Sequence, residues 1–218
     1  MNKITTVLFD LDGTLIDTAP DMARALNLLL EEQQYPMLPY EKIRPVVSNG
    51  SQALVNLGFQ DTVDAEKLEQ LKQRYLEIYE SNLCVESRLF DGLASILERI
   101  EQQHMKWGVV TNKPGWLTEP LLQQLQLSER SSCIVSGDTT AYRKPHPEPM
   151  LYACKQAGSK PAECLYIGDA RRDIEAGRNA GMTTMVAAYG YIGEWENVDS
   201  WNADLLIQHP SELDRILF

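Results

Sequence analysis

The chain has 218 residues, enough to bury a sizeable core as one large domain or as a core with an inserted subdomain. Its 31 acidic and 20 basic side chains leave a net charge of −11, and no Lys/Arg cluster interrupts that balance. Nucleic acid and anionic membrane are thereby excluded as main partners, since both need a basic footprint. Small anions are not excluded, because a metal ion and a few placed cations can bind them locally.

The first strand signal is Ile4 to Phe9, an apolar run that stops at Asp10. It begins so close to the N-terminus that no signal peptide is expected, and no apolar run approaches the ~18 residues of a membrane span. The cysteines, Cys84, Cys133, Cys154 and Cys164, have neither CxxC nor zinc spacing and read as free thiols in a reducing compartment. A soluble, cytoplasmic protein is expected, monomeric or homodimeric.

Beyond the first strand, Thr18-Ala-Pro-Asp21 spells a capping box with proline just inside a helix, and Met22, Ala25, Leu26, Leu29 and Leu30 continue it. A short helical piece to about Val46, a turn at Ser48-Asn49-Gly50 and a second short helix to Leu57 follow. Leu68, Leu71, Tyr75, Tyr79 and Leu83 share one face of a long helix expected over 64–83. From Phe90 onward strands and helices alternate: strands end at Val110, Val135, Ile167, Ala187 and Ile207. That order predicts an α/β fold with a doubly wound, Rossmann-like parallel sheet. The expected division is a core of 1–16 and 90–218, with an all-helical insertion over 17–89.

The polar residues that close these strands should gather at one edge of the sheet, where open α/β sheets bind ligands. Asp10 and Asp12 follow the first strand, Thr111-Asn112 the second, and Gly168-Asp169 with Asp173 the fourth. The loop after the third carries Lys144 between Arg143 and Pro145. Each piece alone also reads as a turn, a solvated charge or a helix cap. Together they place several carboxylates, a lysine and a hydroxyl at one rim. One carboxylate of Asp-x-Asp can act as ligand or nucleophile, the other as ligand or proton shuttle. The acidic group calls for a hard divalent cation, Mg²⁺ first, and the whole set suits a phosphoryl group.

These motifs, Asp10-Leu-Asp-Gly-Thr14, Thr111 after Val109-Val110, Lys144 before Pro145, and Gly168-Asp169-x-x-x-Asp173, resemble those of the haloacid dehalogenase superfamily, specifically its phosphatases with a helical cap. The resemblance implies Asp10 as a nucleophile that becomes phosphorylated. Asp12 would be acid, then base, and a Mg²⁺ ligand through its carbonyl. Thr111 and Asn112 would bind phosphate, Lys144 would neutralise charge, and Asp169 and Asp173 would serve the metal. It also implies a small phosphate ester as substrate, with the helical block as a mobile cap. Phosphoglycolate phosphatases are similar throughout. Tyr189-Gly-Tyr-Ile192, Trp201-Asn-Ala-Asp204 and His209-Pro-Ser-Glu-Leu213 resemble the branch acting on N-acetylmuramic acid 6-phosphate. Sugar phosphomutases are a third comparison. A non-catalytic phospho-acceptor is the reading from another class, opposed by Asp12 and by the insertion. Arg44, Ser48 and Asn49 are the candidates for reading the leaving group.

Overall fold

The computed structural model describes residues 3–59 and 63–218. Met1, Asn2 and 60–62, which the expected core and cap segments include, lie outside the described residues.

In chain order the elements are β1 (Thr6–Phe9), β2 (Ile16–Asp17), α1 (Ala19–Glu32), α2 (Tyr40–Ile43), α3 (Gly50–Phe59), α4 (Ala65–Ser81) and β3 (Arg88–Leu89). They continue with α5 (Leu93–Gln102), β4 (Lys106–Val110), α6 (Gly115–Gln124), β5 (Ile134–Val135), α7 (Glu148–Ala157) and β6 (Cys164–Gly168). α8 (Arg171–Asn179), β7 (Thr183–Ala187), β8 (Leu205–Ile207) and α9 (Leu213–Leu217) complete the chain.

Six strands form one sheet in the order β5-β4-β1-β6-β7-β8, with every pairing parallel. β1 lies between β4 and β6 and is buried along its whole length. A parallel strand covered on both faces needs a continuous apolar run, which Val7-Leu8-Phe9 supplies. Leu8, Val110, Val135, Met150, Ala153 and Tyr166 form one apolar cluster of this sheet and its helices. Ile174, Val186 and Trp201 form another.

The chain folds as two compact units: Asp17–Arg88, and the sheet unit that joins the residues up to Ile16 with Leu89–Phe218. A two-stranded ribbon of β2 and β3, which the sequence reading did not include, stands where the chain leaves the sheet unit and returns. Within the helical unit α1 buries Met22, Ala25, Leu26, Leu29 and Leu30. α4 buries Leu71, Tyr75, Ile78 and Tyr79, and the Tyr75 hydroxyl donates to the Met22 carbonyl at 3.3 Å.

Three local expectations are corrected. α4 stops at Ser81 because the Asn82 side-chain amide donates to the Ile78 carbonyl at 2.8 Å, taking an orphan acceptor of the last turn. The capping box at Thr18 does not form: Thr18 makes no side-chain cap bond, its hydroxyl points to Met22 Sδ at 3.7 Å, and Asp21 is engaged elsewhere. The turn expected at 48–50 is instead the end of a 3₁₀ helix, Arg44–Asn49, which stops at Gly50 with φ of 81°.

Candidate active site

β4, β1 and β6 are adjacent in the sheet, so the residues beyond their carboxyl ends converge. The ladder runs one bond past β1, with Asp10 N–H donating to the Ile167 carbonyl at 2.8 Å. The chain then turns at Gly13, whose φ of 82° favours glycine and where a Cβ would lie 2.2 Å from Asp169 Oδ2. That close approach presses the β1 loop against the carboxylate that follows β6.

Asp10 is 4 % exposed. Its Oδ1 accepts the Leu11 N–H at 2.8 Å and pairs with Lys144 Nζ at 2.8 Å. Lys144 is as deeply buried, and its Nζ also lies 2.8 Å from Asp173 Oδ1, 2.8 Å from the Tyr166 hydroxyl and 3.0 Å from the Val110 carbonyl. An ammonium has three N–H bonds, so these neighbours saturate it. Its backbone is held by Asn112, whose amide donates to the Lys144 carbonyl and accepts its N–H, both at 3.0 Å.

Thr111 continues β4, its N–H donating to the Val135 carbonyl at 2.8 Å. Its Oγ1 accepts the Lys113 N–H at 3.1 Å, which leaves the hydroxyl proton free for a ligand. Asp169 accepts the Tyr191 N–H at 2.9 Å on Oδ2 and the Thr14 hydroxyl at 3.5 Å on Oδ1. Asp173 is fully buried. Its Oδ2 accepts the Ala170 N–H at 3.0 Å. Oδ1 faces the Lys144 ammonium at 2.8 Å as its charged neighbour. Burial pushes the Asp173 carboxyl up; Lys144 opposes that, and the charge of Asp10 adds to it.

Three residues of this site escaped the sequence reading. Lys113 Nζ pairs with Asp12 Oδ1 at 3.0 Å. Arg172 keeps its charge although burial works against it, because Asp173, Asp10 and Asp169 outweigh that cost. Tyr191 contributes a backbone N–H, delivered by a loop in which a Cβ on Gly190 would lie 2.3 Å from Asp169 Cβ. The structure thus brings together Asp10, Asp12, Thr111, Asn112, Lys144, Asp169 and Asp173. Arg44, Ser48 and Asn49 belong to the 3₁₀ helix of the helical unit, where Arg44 hydrogen-bonds Tyr40.

Asp10, Asp169 and Asp173 each offer a carboxylate oxygen, and these lie within 4.8 Å of one another. An all-oxygen donor set of three buried carboxylates fits a hard divalent cation of the Mg²⁺ type.

The profile of the haloacid dehalogenase-like hydrolases matches residues 7–187. An N-acetylmuramic acid 6-phosphate phosphatase of Pseudomonas putida is 42% identical over 215 residues, 99% of this chain and 96% of that one. A phosphoglycolate phosphatase of Xanthomonas campestris pv. campestris is 44% identical over 207 residues, 95% of this chain and 93% of that one. The solved structure of a predicted phosphoglycolate phosphatase from Haemophilus somnus superposes with a TM-score of 0.88 at 28% identity, covering 100% of both chains. The chain belongs to the haloacid dehalogenase-like hydrolases. Within that family it is a phosphatase. Among the described residues no helix is long and apolar enough to cross a membrane.

Proposed function

We propose that the enzyme is a Mg²⁺-dependent phosphomonoesterase that works through an aspartyl-phosphate on Asp10. The observation that carries this reading is the asymmetry of Asp10: Oδ1 is held by Leu11 and Lys144, so Oδ2 is the oxygen left to attack. A bond forms from Oδ2 to phosphorus while the ester P–O bond breaks, and Asp12 gives its proton to the departing alkoxide. In the second half-reaction Asp12 takes a proton from water as the water oxygen attacks phosphorus, which returns Asp10 and releases phosphate. Thr111 donates its hydroxyl proton to a phosphoryl oxygen. Lys144 fixes the nucleophile and balances its charge against Asp173. Asp10, Asp169 and Asp173, with the carbonyl of Asp12, would hold Mg²⁺, which offsets phosphoryl charge when bound.

N-acetylmuramic acid 6-phosphate is the substrate we place first, because the relative named for it is 42% identical across 99% of this chain. Phosphoglycolate is the second, supported by the relative at 44% identity. Both leaving groups carry a carboxylate. The helical unit is the cap in this reading, and Arg44, Ser48 and Asn49 are its candidates for recognising the leaving group. Comparing kcat/KM on the two esters, with Mg²⁺ and with excess chelator, tests substrate and metal together. Asp10→Asn removes the nucleophile and should lower kcat by about 10⁴-fold or more. Steady turnover by that variant within about tenfold of wild type would refute the mechanism.

A further inference from the structure

We propose that Lys113 is a positioning residue for Asp12, holding the acid/base carboxylate in the orientation that both half-reactions use. The inference rests on the assignment of Asp12 above and adds a residue to it.

The backbone of Lys113 is fixed on both sides. Its N–H donates to Thr111 Oγ1 at 3.1 Å. Its carbonyl accepts the Gly137 N–H at 2.8 Å and the Thr118 hydroxyl at 3.3 Å. Pro114 follows at the start of α6 with φ of −66°. From this anchored position the side chain runs through the protein at 5 % exposure and ends 3.0 Å from Asp12 Oδ1. Asp12 itself is 16 % exposed and stands on the loop past the end of β1.

A buried ammonium on a clamped backbone has few positions open to it, so the carboxylate that pairs with it meets a fixed partner. The pairing therefore transfers the rigidity of the β4 loop to the acid/base group. It also divides labour between the two buried lysines. Lys144 is spent on Asp10, Asp173, Tyr166 and Val110, which leaves Lys113 to Asp12. Misplacing a proton donor by about 1 Å can cost about a hundredfold in rate, so the ion pair bears on catalysis without touching phosphorus.

The test uses p-nitrophenyl phosphate, whose leaving group needs little proton assistance, so that only the second half-reaction depends on Asp12. Lys113→Met should lower kcat about a hundredfold and leave kcat/KM within about threefold. A burst of p-nitrophenol should precede slow turnover as phosphoenzyme accumulates. Lys113→Arg keeps the charge and should recover kcat to within about tenfold; it carries the same burst measurement should the methionine variant not fold. In an Asp12→Asn background, Lys113→Met should change the dephosphorylation rate by less than about twofold. A parallel fall of kcat/KM and kcat, a loss without a burst in either variant, or independent losses in the double variant would overturn the inference. Wild-type turnover by Asp12→Asn alone would instead overturn the acid/base assignment.

Discussion

Asp21 in the helical unit and Asp173 in the sheet unit are both at 0 % exposure, and the protein satisfies them in opposite ways. Asp21 accepts the N–H groups of Val85, Glu86 and Ser87 at 3.0, 3.0 and 2.8 Å and the Ser87 hydroxyl at 2.7 Å. Asp173 receives one N–H, from Ala170 on Oδ2, and on Oδ1 only the ion pair with Lys144. The first carboxylate has its water shell replaced by neutral donors from one short stretch of chain, and it ties that stretch to α1. The second is under-solvated and surrounded by charge. Burial of an acid is common to both; what distinguishes a reactive site is the incompleteness of its solvation.

The largest way to break this comparison is Asp21→Asn. An amide NH₂ would face N–H donors, and stability should fall by about 3 kcal/mol, read from urea unfolding by far-UV circular dichroism. Asp173→Asn should act on function instead. If Mg²⁺ binds as proposed, we expect a loss of about 10–100-fold in kcat/KM, together with loss of most of the stabilisation that saturating Mg²⁺ should then confer, about 2.7 kcal/mol at a hundredfold excess over Kd. Asp21→Asn should retain that Mg²⁺ response, and a shared response would erase the distinction. The smallest effect is Ser87→Ala, which removes one of the donors to Asp21 and should cost about 1 kcal/mol. A change below the error of the unfolding measurement would mean that the backbone N–H groups alone suffice.

Asp10, Asp12, Thr111 and Asp169 are legible because each stands just past an apolar run and strand ends in a parallel sheet share an edge, and Asp173 because it follows Asp169 by four residues. Lys113 is not, since a lysine after a strand is ordinarily solvated. Its meaning comes from Asp12, 101 residues away, and from the sheet order that puts β4 beside β1. Arg172 was hidden in the same way within Ala170-Arg-Arg-Asp173. Tyr191 acts through a backbone N–H, which no side-chain motif can spell. Asp21 was misread because Thr18-x-x-Asp21 has the form of a local cap. Donors 64 to 66 residues downstream won, since they supply several hydrogen bonds where a cap supplies one. The 3₁₀ helix over Arg44–Asn49 was equally hard to see, because its tight turns leave no apolar period.

The ribbon of β2 and β3 also bears on how the chain finds its fold. β1 has only distant partners: Leu8 stands opposite Gly108 on one side and Tyr166 on the other. A strand whose partners are all distant in sequence is slow to find its place. The intervening helices, by contrast, pack among themselves. Once they have done so and the ribbon has zipped, the excursion from Asp17 to Arg88 begins and ends on neighbouring strands. To the nascent sheet it then counts as a connection of a few residues, and the search that brings β4 to β1 is shortened by the length of the insertion.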